Sequence, residues 1–253
     1  MRTLLSAGDY GLFEGPADDQ VVFAHYRKTG TWAAEVLALL HARFGSGAGT
    51  FIDAGANIGL VTIPLLERTA AEAYAFEPAP ENFELLTRNI ARHDLSRRVR
   101  AHRVALHARA GTQALSLSRT NAGDHHLGDD PERKRITVET ARLDDVLSGR
   151  PLATPVVMKV DTQGSELHVL LGARETLKRV DHLLIEYWPL GLARCGHRPR
   201  DLWPELLQFP YAGLVDQHGG EPRMEPTEQL LERLSFFSDL DPGFFDLLLG
   251  RSL

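Results

Sequence analysis

The sequence predicts an α/β fold: a doubly wound, mostly parallel sheet of seven strands with an antiparallel last strand. Apolar runs typical of buried strands alternate with helical patterns, and no stretch of the chain repeats another. A glycine-rich turn follows the first core strand, and a carboxylate ends the next one. We therefore expect an N-terminal extension over residues 1–45 and a core over residues 46–253, which together form one domain.

The N-terminal extension is predicted to fold as a short hairpin followed by a helix. The turn-forming residues Gly15–Asp19 lie in the middle of Tyr10–Tyr26, which predicts a hairpin there. Apolar residues recur at helical spacing over Trp32–Phe44. We expect both elements to pack against the core and to lie over its ligand cleft.

The segment Thr50–Gly59 is the most informative part of the chain. Its apolar residues predict a buried strand that runs into Asp53, and Gly55 and Gly59 then allow backbone angles that are closed to other residues. A helix follows, and the next strand ends at Glu77. Because a carboxylate accepts hydrogen bonds from both hydroxyls of a ribose, this βαβ unit predicts a nucleoside site.

The turn favours S-adenosylmethionine (SAM) over NAD as the ligand. A dinucleotide fingerprint has three glycines, and the middle one is missing from the pattern Asp53-x-Gly55-x-x-x-Gly59. Asp53 would repel a pyrophosphate but attract the ammonium group of SAM. The alternative is an ordinary turn in which Asp53 caps a helix, and the spacing to Glu77 disfavours it. The predicted cofactor-binding residues are Asp53, Gly55, Ala56, Asn57, Gly59, Glu77, Pro78, Asn82, Ala105 and Asp161.

Two regular elements follow Glu77 and lead to a long polar excursion. Residues Glu81–His93 carry apolar residues on one helical face, and Val99–Leu106 is predicted to be the third core strand. The excursion over Gly111–Thr140 predicts a hairpin whose loop contains Asn121–His126. This loop is long enough to contribute to function.

A second group of charged residues lies in the fourth core strand, Pro155–Asp161. Strand alternation places Lys159 and Asp161 on the same side of a strand that we expect to be buried on both faces. A buried lysine requires a partner, either Asp161 itself or Glu186 in the fifth strand, His182–Trp188. We expect Asp161 and Glu186 to border the ligand crevice; the alternative is an ion pair that only orders two loops.

Two later segments complete the predicted core. One helix is predicted from Glu166 to about Lys178, and Glu166 in its first turn is expected to bind a backbone amide or the helix dipole. The alternative for Glu166 is a contact with substrate. Phe244–Leu249 is predicted to be the last, antiparallel strand, although its leucines would also suit a helix.

Four sequence motifs, taken in their order along the chain, resemble those of the FkbM-type SAM-dependent methyltransferases, a family of class I Rossmann-like methyltransferases. The resemblance runs from about Thr29 to Trp188. Its lysine-bearing block is the most specific, because the glycine turn recurs in many methyltransferases. The blocks that carry it are Phe51–Gly59, Ala75–Pro78 with Glu81–Phe83, Leu143–Leu147 and Met158–Glu166.

The resemblance implies methyl transfer from SAM, most often to a hydroxyl of a natural product, a sugar or a lipid-like acceptor. Asp161 would orient the hydroxyl or take its proton, and Lys159 would keep Asp161 ionised. His125 or His126 is an alternative base. The predicted catalytic residues are Asp161, Lys159 and His125, and the predicted acceptor-binding residues are Asn121, His126, Gln163, Glu186 and Trp188.

Two other functions stay open from the sequence. One is N-methylation of an amino sugar or another amine, and the other is a SAM-binding module without catalysis. Methyltransferases that act on amino groups of nucleic acids usually follow this strand with an Asn/Asp-Pro-Pro-aromatic block. The corresponding residues here are Asp161–Gly164, which do not resemble that block.

The composition is that of a globular enzyme domain, for which the cytoplasm is the expected location, and its charge favours basic substrates or neutral small molecules as partners. A net charge of −6 and a pI near 6.0 give no electrostatic reason to bind nucleic acid or an anionic membrane. The single cysteine, Cys195, cannot form an internal disulfide, and neither a membrane span nor a signal peptide is predicted. No metal-binding residues are predicted, although a Mg²⁺-assisted mechanism that uses Asp161 and Glu186 stays open without a convincing third ligand. The oligomeric state is left open, and a homodimer is compatible with the sequence.

Overall fold

A central mixed sheet organises the part of the chain that the computed structural model describes, residues 2–216 and 219–252. The strands of this part belong to three sheets. In chain order they are β1 (Thr3–Gly8), β2 (Gly11–Pro16), β3 (Thr50–Ala54), β4 (Glu72–Phe76), β5 (Val99–His102), β6 (Ala105–Leu106), β7 (Gly111–Leu117), β8 (His126–Leu127), β9 (Lys134–Ala141), β10 (Val156–Val160), β11 (His182–Tyr187), β12 (Tyr211–Leu214), β13 (Glu225–Pro226) and β14 (Phe245–Gly250).

Short helices connect these strands. In chain order they are α1 (Val22–Thr29), α2 (Ala34–Phe44), α3 (Thr62–Glu67), α4 (Pro80–Arg92), α5 (Leu143–Val146), α6 (Glu166–Leu171), α7 (Arg174–Leu177), α8 (Pro189–Arg194), a 3₁₀-helix (Pro199–Leu202), α9 (Trp203–Leu206) and α10 (Thr227–Leu234). The longest of them, α4, has 13 residues. Within residues 2–216 and 219–252, no helix combines the length and apolar character that crossing a bilayer requires.

The central sheet has the strand order β13-β12-β14-β11-β10-β3-β4-β5. Its longer strands are parallel except β14, which runs antiparallel to both of its neighbours, β11 and β12. The predicted doubly wound sheet with an antiparallel last strand is therefore confirmed. The structure adds the two-residue strand β13 at one edge to the seven strands expected.

Two apolar layers cover the two faces of the central sheet. Strand alternation directs Ile52 and Met158 into one layer and Phe51 and Val157 into the other. All four side chains are fully buried, which explains why β3 and β10 read as continuous apolar runs. The leucines of β14 divide between the same two layers, as a strand requires, so the alternative of a terminal helix is excluded.

The N-terminal hairpin lies earlier in the chain than predicted. β1 and β2 pair with each other, so the hairpin turn lies at Asp9–Tyr10, whereas the turn at Ala17–Asp18 leads from β2 towards α1. Gly15 instead lets the ring of Phe23 pack on the strand, since a Cβ there would lie 2.3 Å from a ring carbon. Asp19 supports the start of α1, because its Oδ1 accepts a hydrogen bond from the backbone N–H of Phe23 at 2.7 Å. The second predicted element of the extension is confirmed as α2.

The predicted third core strand divides between two sheets. β5 ends at His102, and β6 then pairs with β9 in a four-stranded sheet of order β6-β9-β7-β8. The single strand predicted over Val99–Leu106 is therefore wrong. Because β4 ends at Phe76, the chain beyond His102 finds its backbone partners in β9 instead. The hairpin predicted over Gly111–Thr140 is confirmed, with β7 and β9 antiparallel and β8 in their connecting loop.

The single helix predicted after β10 is two helices, α6 and α7. They are separated at Gly172–Ala173, where a Cβ on Gly172 would lie 2.2 Å from the backbone oxygen of His107. The chain that follows β6 therefore passes directly against this turn. Close backbone approach ends α6 after six residues.

Candidate active site

A cavity of about 620 Å³ lies at the carboxyl ends of β3, β4, β10 and β11. Parallel α/β sheets bind ligands at this edge, and the volume is that of a small-molecule site. Val21 and Trp32 of the N-terminal segment also line it, as does the loop that precedes β8. We call its two sides the glycine-turn half, lined by residues 53–57, Glu77 and Pro78, and the carboxylate half, lined by Asp161, Gln163, Glu186, Trp188, Arg194 and Asp246.

Gly55 and Gly59 serve different purposes. Gly55 has a φ of +92°, and a Cβ on it would lie 1.9 Å from the backbone oxygen of Asp161, so only glycine fits where β3 and β10 end. Gly59 also has a positive φ, but a Cβ there would meet Ile63 and Leu86 in the core. Gly59 does not line the cavity, which corrects the expectation that it contacts a cofactor.

Glu77 follows β4 directly, and the backbone holds both of its carboxylate oxygens. Oε2 accepts a hydrogen bond from the N–H of Asn57 at 2.9 Å, and Oε1 accepts one from the N–H of Ala79 at 2.9 Å. Burial raises the pKa of Glu77 to about 7, although these two bonds favour the carboxylate. Each oxygen keeps acceptor capacity for a ligand in the cavity that Glu77 lines.

Asn57 presents an unpaired acceptor in the same half. Its backbone has a φ of +50°, and its Oδ1 is buried with no hydrogen-bond partner among the described residues. Buried polar atoms are rarely left without a partner. Since Asn57 lines the cavity, its Oδ1 indicates a position at which a ligand donates a hydrogen bond.

Lys159 connects the two halves of the cavity. Its Nζ lies 3.3 Å from Asp161 Oδ2 and 3.5 Å from Asp53 Oδ1. The sequence predicts Asp161 or Glu186 as its partner; Asp161 is a partner, whereas Asp53 takes the place of Glu186. The reason is register, because β3 lies beside β10 with Asp53 opposite Lys159. Burial lowers the pKa of Lys159, but the carboxylates of Asp161 and Asp53 raise it by more, so the amine stays protonated.

The carboxylate of Asp53 is wholly buried and already bonded. Oδ2 accepts a hydrogen bond from Thr62 Oγ1 at 2.5 Å, while Oδ1 faces Lys159. The sequence predicts that Asp53 attracts a cation, and the cation beside it belongs to the protein itself. Thr62 was not foreseen, since its signal is only its position at the start of α3.

Three carboxylates from neighbouring strands meet in the carboxylate half. Gln163 bridges two of them, since its Nε2 donates to Asp161 Oδ1 at 2.8 Å and to Glu186 Oε2 at 3.3 Å. Asp246 lies opposite Glu186 in β14. Burial raises the pKa of Asp246 to about 6 and that of Glu186 well above its usual value, and the charge of Asp161 adds to both shifts. Asp161, paired with Lys159 and 40% exposed, is the member placed to carry a negative charge.

Glu166 lies outside the cavity lining and has a structural role. Its Oε1 accepts hydrogen bonds from the N–H groups of Thr162 and Gly164 at 2.9 and 3.1 Å, and its side chain is fully buried. Binding to backbone amides is the role predicted from the sequence, and substrate contact is not supported. In the described part of the chain, no group of three or more His, Cys, Asp or Glu side chains is arranged to hold a metal ion.

The two loop histidines have different surroundings. His125 lines the cavity, and its Nδ1 accepts a hydrogen bond from the N–H of Ser118 at 3.1 Å. This bond assigns the ring proton to Nε2, and burial lowers the pKa of His125 to about 4, so the ring is a neutral donor. His126 is in β8, does not line the cavity and has its Nε2 4.0 Å from Asp130 Oδ2. Adjacent strand residues face opposite sides, which corrects the expectation that His126 contacts the acceptor.

The loop before β8 is fastened over the cavity by Asn82 and Asp19. Asn82 Nδ2 donates to the backbone oxygen of Ala122 at 2.9 Å, and the N–H of Ala122 donates to Asp19 Oδ2 at 2.6 Å. Within the loop, Asn121 Oδ1 accepts a hydrogen bond from the N–H of Gly123 at 2.9 Å. Asn82 and Asn121 therefore line the cavity with amides that already hold the loop.

The cavity brings together the predicted site residues except Gly59 and His126. Those in its lining are Asp53, Gly55, Ala56, Asn57, Glu77, Pro78, Asn82, Ala105, Asn121, His125, Lys159, Asp161, Gln163, Glu186 and Trp188. Sequence reasoning missed Asp246 and Arg194, because neither lies in a recognisable motif. The signal for Asp246 is its place in the predicted last strand, next to the strand of Glu186.

The sheet order and the cavity define the class of the protein. A glycine turn after β3, an acidic residue after β4 and an antiparallel strand inserted before the edge of the sheet are the arrangement of a class I, Rossmann-like methyltransferase. The family model of the methyltransferase FkbM domain matches residues 53–202, which is more than half of the chain. The chain belongs to the FkbM methyltransferase family.

Named relatives agree with this assignment. Methyltransferase sdnD of Sordaria araneosa is 33% identical over 174 residues, which cover 56% of this chain and 67% of sdnD. The hexuronic acid methyltransferase AglP of Haloferax volcanii is 32% identical over 135 residues, which cover 53% of this chain and 54% of AglP. The crystal structure of methyltransferase FkbM from Methylobacillus flagellatus KT shares the fold, with a TM-score of 0.50 and 19% identity over 80% of this chain and 43% of that chain. The chain thus spans about half to two thirds of the length of the curated relatives it matches.

Proposed function

We propose that the protein is a SAM-dependent methyltransferase that methylates a hydroxyl group of a small molecule, such as a natural product or a sugar. The pair Lys159–Asp161 carries this proposal, because it places a carboxylate at the cavity wall with a buried amine 3.3 Å away. A hydroxyl acceptor requires a base, whereas a module that only binds SAM does not. Family membership and a relative named as a hexuronic acid methyltransferase support the chemistry of methyl transfer.

The residues of the glycine-turn half fit the nucleoside of SAM. A ribose diol needs two acceptors, which the oxygens of Glu77 provide. The unpaired Oδ1 of Asn57 needs a donor, and SAM has one in its hydroxyl and ammonium groups. Gly55 leaves the neighbouring wall without a side chain. When bound, SAM supplies an electrophilic methyl group on a sulfonium.

Asp161 acts as the general base in this proposal. It takes the proton that the acceptor hydroxyl loses while the new C–O bond forms and the C–S bond of the donor breaks. Lys159 stabilises the carboxylate of Asp161, and Gln163 fixes its orientation through the 2.8 Å bond to Oδ1. The exposed 40% of the Asp161 side chain leaves it able to reach an acceptor.

His125 acts as a hydrogen-bond donor rather than as a base. Its Nδ1 is engaged by Ser118, so Nε2–H is the group available to a ligand oxygen. The loop held by Asn82 and Asp19 lies over the same cavity. Its role is to exclude water, which would otherwise compete with the acceptor for the methyl group.

The carboxylate half favours a hydroxyl over an amine as the acceptor. Asp161 faces the cavity in this half, and its negative charge stabilises the protonated form of an amine. An ammonium group has no lone pair with which to accept a methyl group. The charge of this half therefore argues against N-methylation.

The test is transfer of an isotope-labelled methyl group from SAM to matched hydroxyl and amino acceptors, such as glycosides of glucose and of glucosamine. We expect label in the hydroxyl groups, and we expect Asp161→Asn to lower turnover by about 10²–10⁴-fold without weakening SAM binding. Asp145, which is exposed and lies outside the cavity, gives the control Asp145→Asn with full turnover. Label on amines alone, or full turnover by Asp161→Asn, would contradict the proposal.

A further inference from the structure

Arg194 lies in the wall of the carboxylate half without a carboxylate partner of its own. Its guanidinium is stacked over the indole of Trp188, 4.9 Å from the ring centre, and both side chains line the cavity. Within residues 2–216 and 219–252, the Arg194 side chain makes no ion pair or hydrogen bond. Its charge is therefore available to a ligand.

Arg133 also lines the cavity, but its charge is already paired within the protein. Its guanidinium pairs with Asp124 at 2.6 Å and with Asp130 at 3.1 Å. Burial lowers the pKa of His126, and the charges of Arg133 and Arg194 lower it further, so both arginines lie near that ring. Of two cations on one side of the cavity, Arg133 is neutralised by the protein and Arg194 is not.

A purely structural role does not account for the position of Arg194. It ends α8, where a cation interacts favourably with the helix dipole, but that interaction does not require stacking at a cavity wall. Arg200 over Trp203 is a similar pair, at 5.4 Å, and it lies outside the cavity lining. An indole beneath a guanidinium holds it in one plane and leaves its edge N–H groups free. This arrangement suits bidentate binding of an oxyanion.

We propose that the methyl acceptor carries an anionic group, a carboxylate or a phosphate, which Arg194 binds while the reacting hydroxyl lies at Asp161. This inference rests on the proposed function of the cavity. The Asp161 carboxylate repels an anion, whereas Arg194 attracts one, so the anionic end and the hydroxyl end of the acceptor bind at different places. An acidic acceptor is thereby oriented with its hydroxyl toward the base.

Calorimetric titration of the protein saturated with S-adenosylhomocysteine (SAH), the demethylated product of SAM, tests this inference. The probes are glucuronate and glucose 6-phosphate, each compared with glucose, because the three share a sugar ring and differ in the anionic group. We expect at least one acid to bind about tenfold more tightly than glucose, or better, as a charge-assisted contact predicts. In Arg194→Gln the ratio should fall to about twofold or less, since the contact is lost.

Arg200→Gln is the matched control, because it removes a guanidinium stacked on an indole outside the cavity. The preference for an acid should survive in this variant. A preference for glucuronate alone supports a carboxylate, and one for glucose 6-phosphate alone supports a phosphate. If neither acid binds better than glucose, or if the preference persists in Arg194→Gln, the inference is overturned. If SAH itself does not bind, the proposed function is overturned together with the inference. If SAH binds but the preference for an acid is missing, only the inference is overturned.

Discussion

The two halves of the cavity are built in different ways. In the glycine-turn half, the residues come from one short stretch, 53–57, and from Glu77, which backbone N–H groups hold in place. In the carboxylate half, Asp161, Glu186 and Asp246 come from segments far apart in the sequence, and a single buried lysine pairs with Asp161. Local backbone geometry alone positions the residues of the glycine-turn half. The carboxylate half forms only when distant segments of the chain come together in the fold.

This difference separates binding from chemistry. Changes in the glycine-turn half should alter affinity for the nucleoside, and changes at Asp161 should alter turnover. Lys159 contacts both halves, through Asp53 on one side and Asp161 on the other, so its loss should affect the fold itself.

The largest effect is expected from Lys159→Met. The change leaves the wholly buried carboxylate of Asp53 without its cation, and the free energy of unfolding should fall by about 3–5 kcal/mol. Urea unfolding measures this loss. Lys178→Met is the control, because Lys178 pairs with Glu175 on the surface and its loss should cost about 1 kcal/mol or less. Equal losses in the two variants would show that Lys159 does not hold the halves together.

A smaller but still large effect is expected from Glu77→Ala. Removal of both acceptors for the ribose diol should weaken SAH binding by about 2–4 kcal/mol, or about 30- to 1000-fold. Calorimetry measures the change. Glu72→Ala is the matched control on the same strand, since Glu72 pairs with Arg100 at the surface and lies outside the cavity. Unchanged SAH affinity in Glu77→Ala would contradict the assignment of cofactor binding to the glycine-turn half.

The pH dependence of SAH binding should also depend on Glu77. Burial raises the pKa of Glu77 to about 7, and protonation removes acceptor capacity, so SAH affinity should fall about tenfold between pH 8 and pH 6. Stability runs the other way: the contribution of a carboxyl with a raised pKa is complete below its unfolded pKa and is lost as pH rises through 7. Glu77→Gln should bind with little pH dependence in this range. A wild-type profile that is equally flat would refute the assignment.

The smallest effect is expected from His125→Phe. If the ring only donates one hydrogen bond, turnover should fall about fivefold, and the pH dependence of turnover should keep its shape. A general base would instead contribute about 10²–10⁴-fold. Steady-state rates across pH decide between these roles. A loss as large as the one expected for Asp161→Asn would identify His125, and not Asp161, as the general base.

The glycine-turn half could be predicted from the sequence because its determinants are local. The spacing of Asp53, Gly55 and Glu77 is enough to place a turn and a strand tip side by side. The bond between Lys159 and Asp53 could not be predicted, because these residues are 106 positions apart and meet through the register of β3 and β10. The geometry of the carboxylate half depends on the same kind of long-range pairing.

Two local patterns led to wrong predictions because tertiary contacts override them. Gly15–Asp19 has the composition of a hairpin turn, yet its turn at Ala17–Asp18 leads into α1, and Gly15 makes room for Phe23. Val99–Leu106 reads as one strand, but β9 competes for its second part. His125 and His126 could not be told apart either, because β8 has only two residues and shows no alternation in the sequence.

Calorimetric titration of the wild type, Glu77→Ala and Asp161→Asn with SAH, with NAD as a parallel ligand, tests whether the glycine-turn half binds the cofactor while Asp161 serves turnover. We expect SAH to bind the wild type and Asp161→Asn equally well, to bind Glu77→Ala at least about 30-fold more weakly, and to be preferred to NAD throughout. Preference for NAD, or SAH binding that is lost in Asp161→Asn and kept in Glu77→Ala, would contradict this expectation.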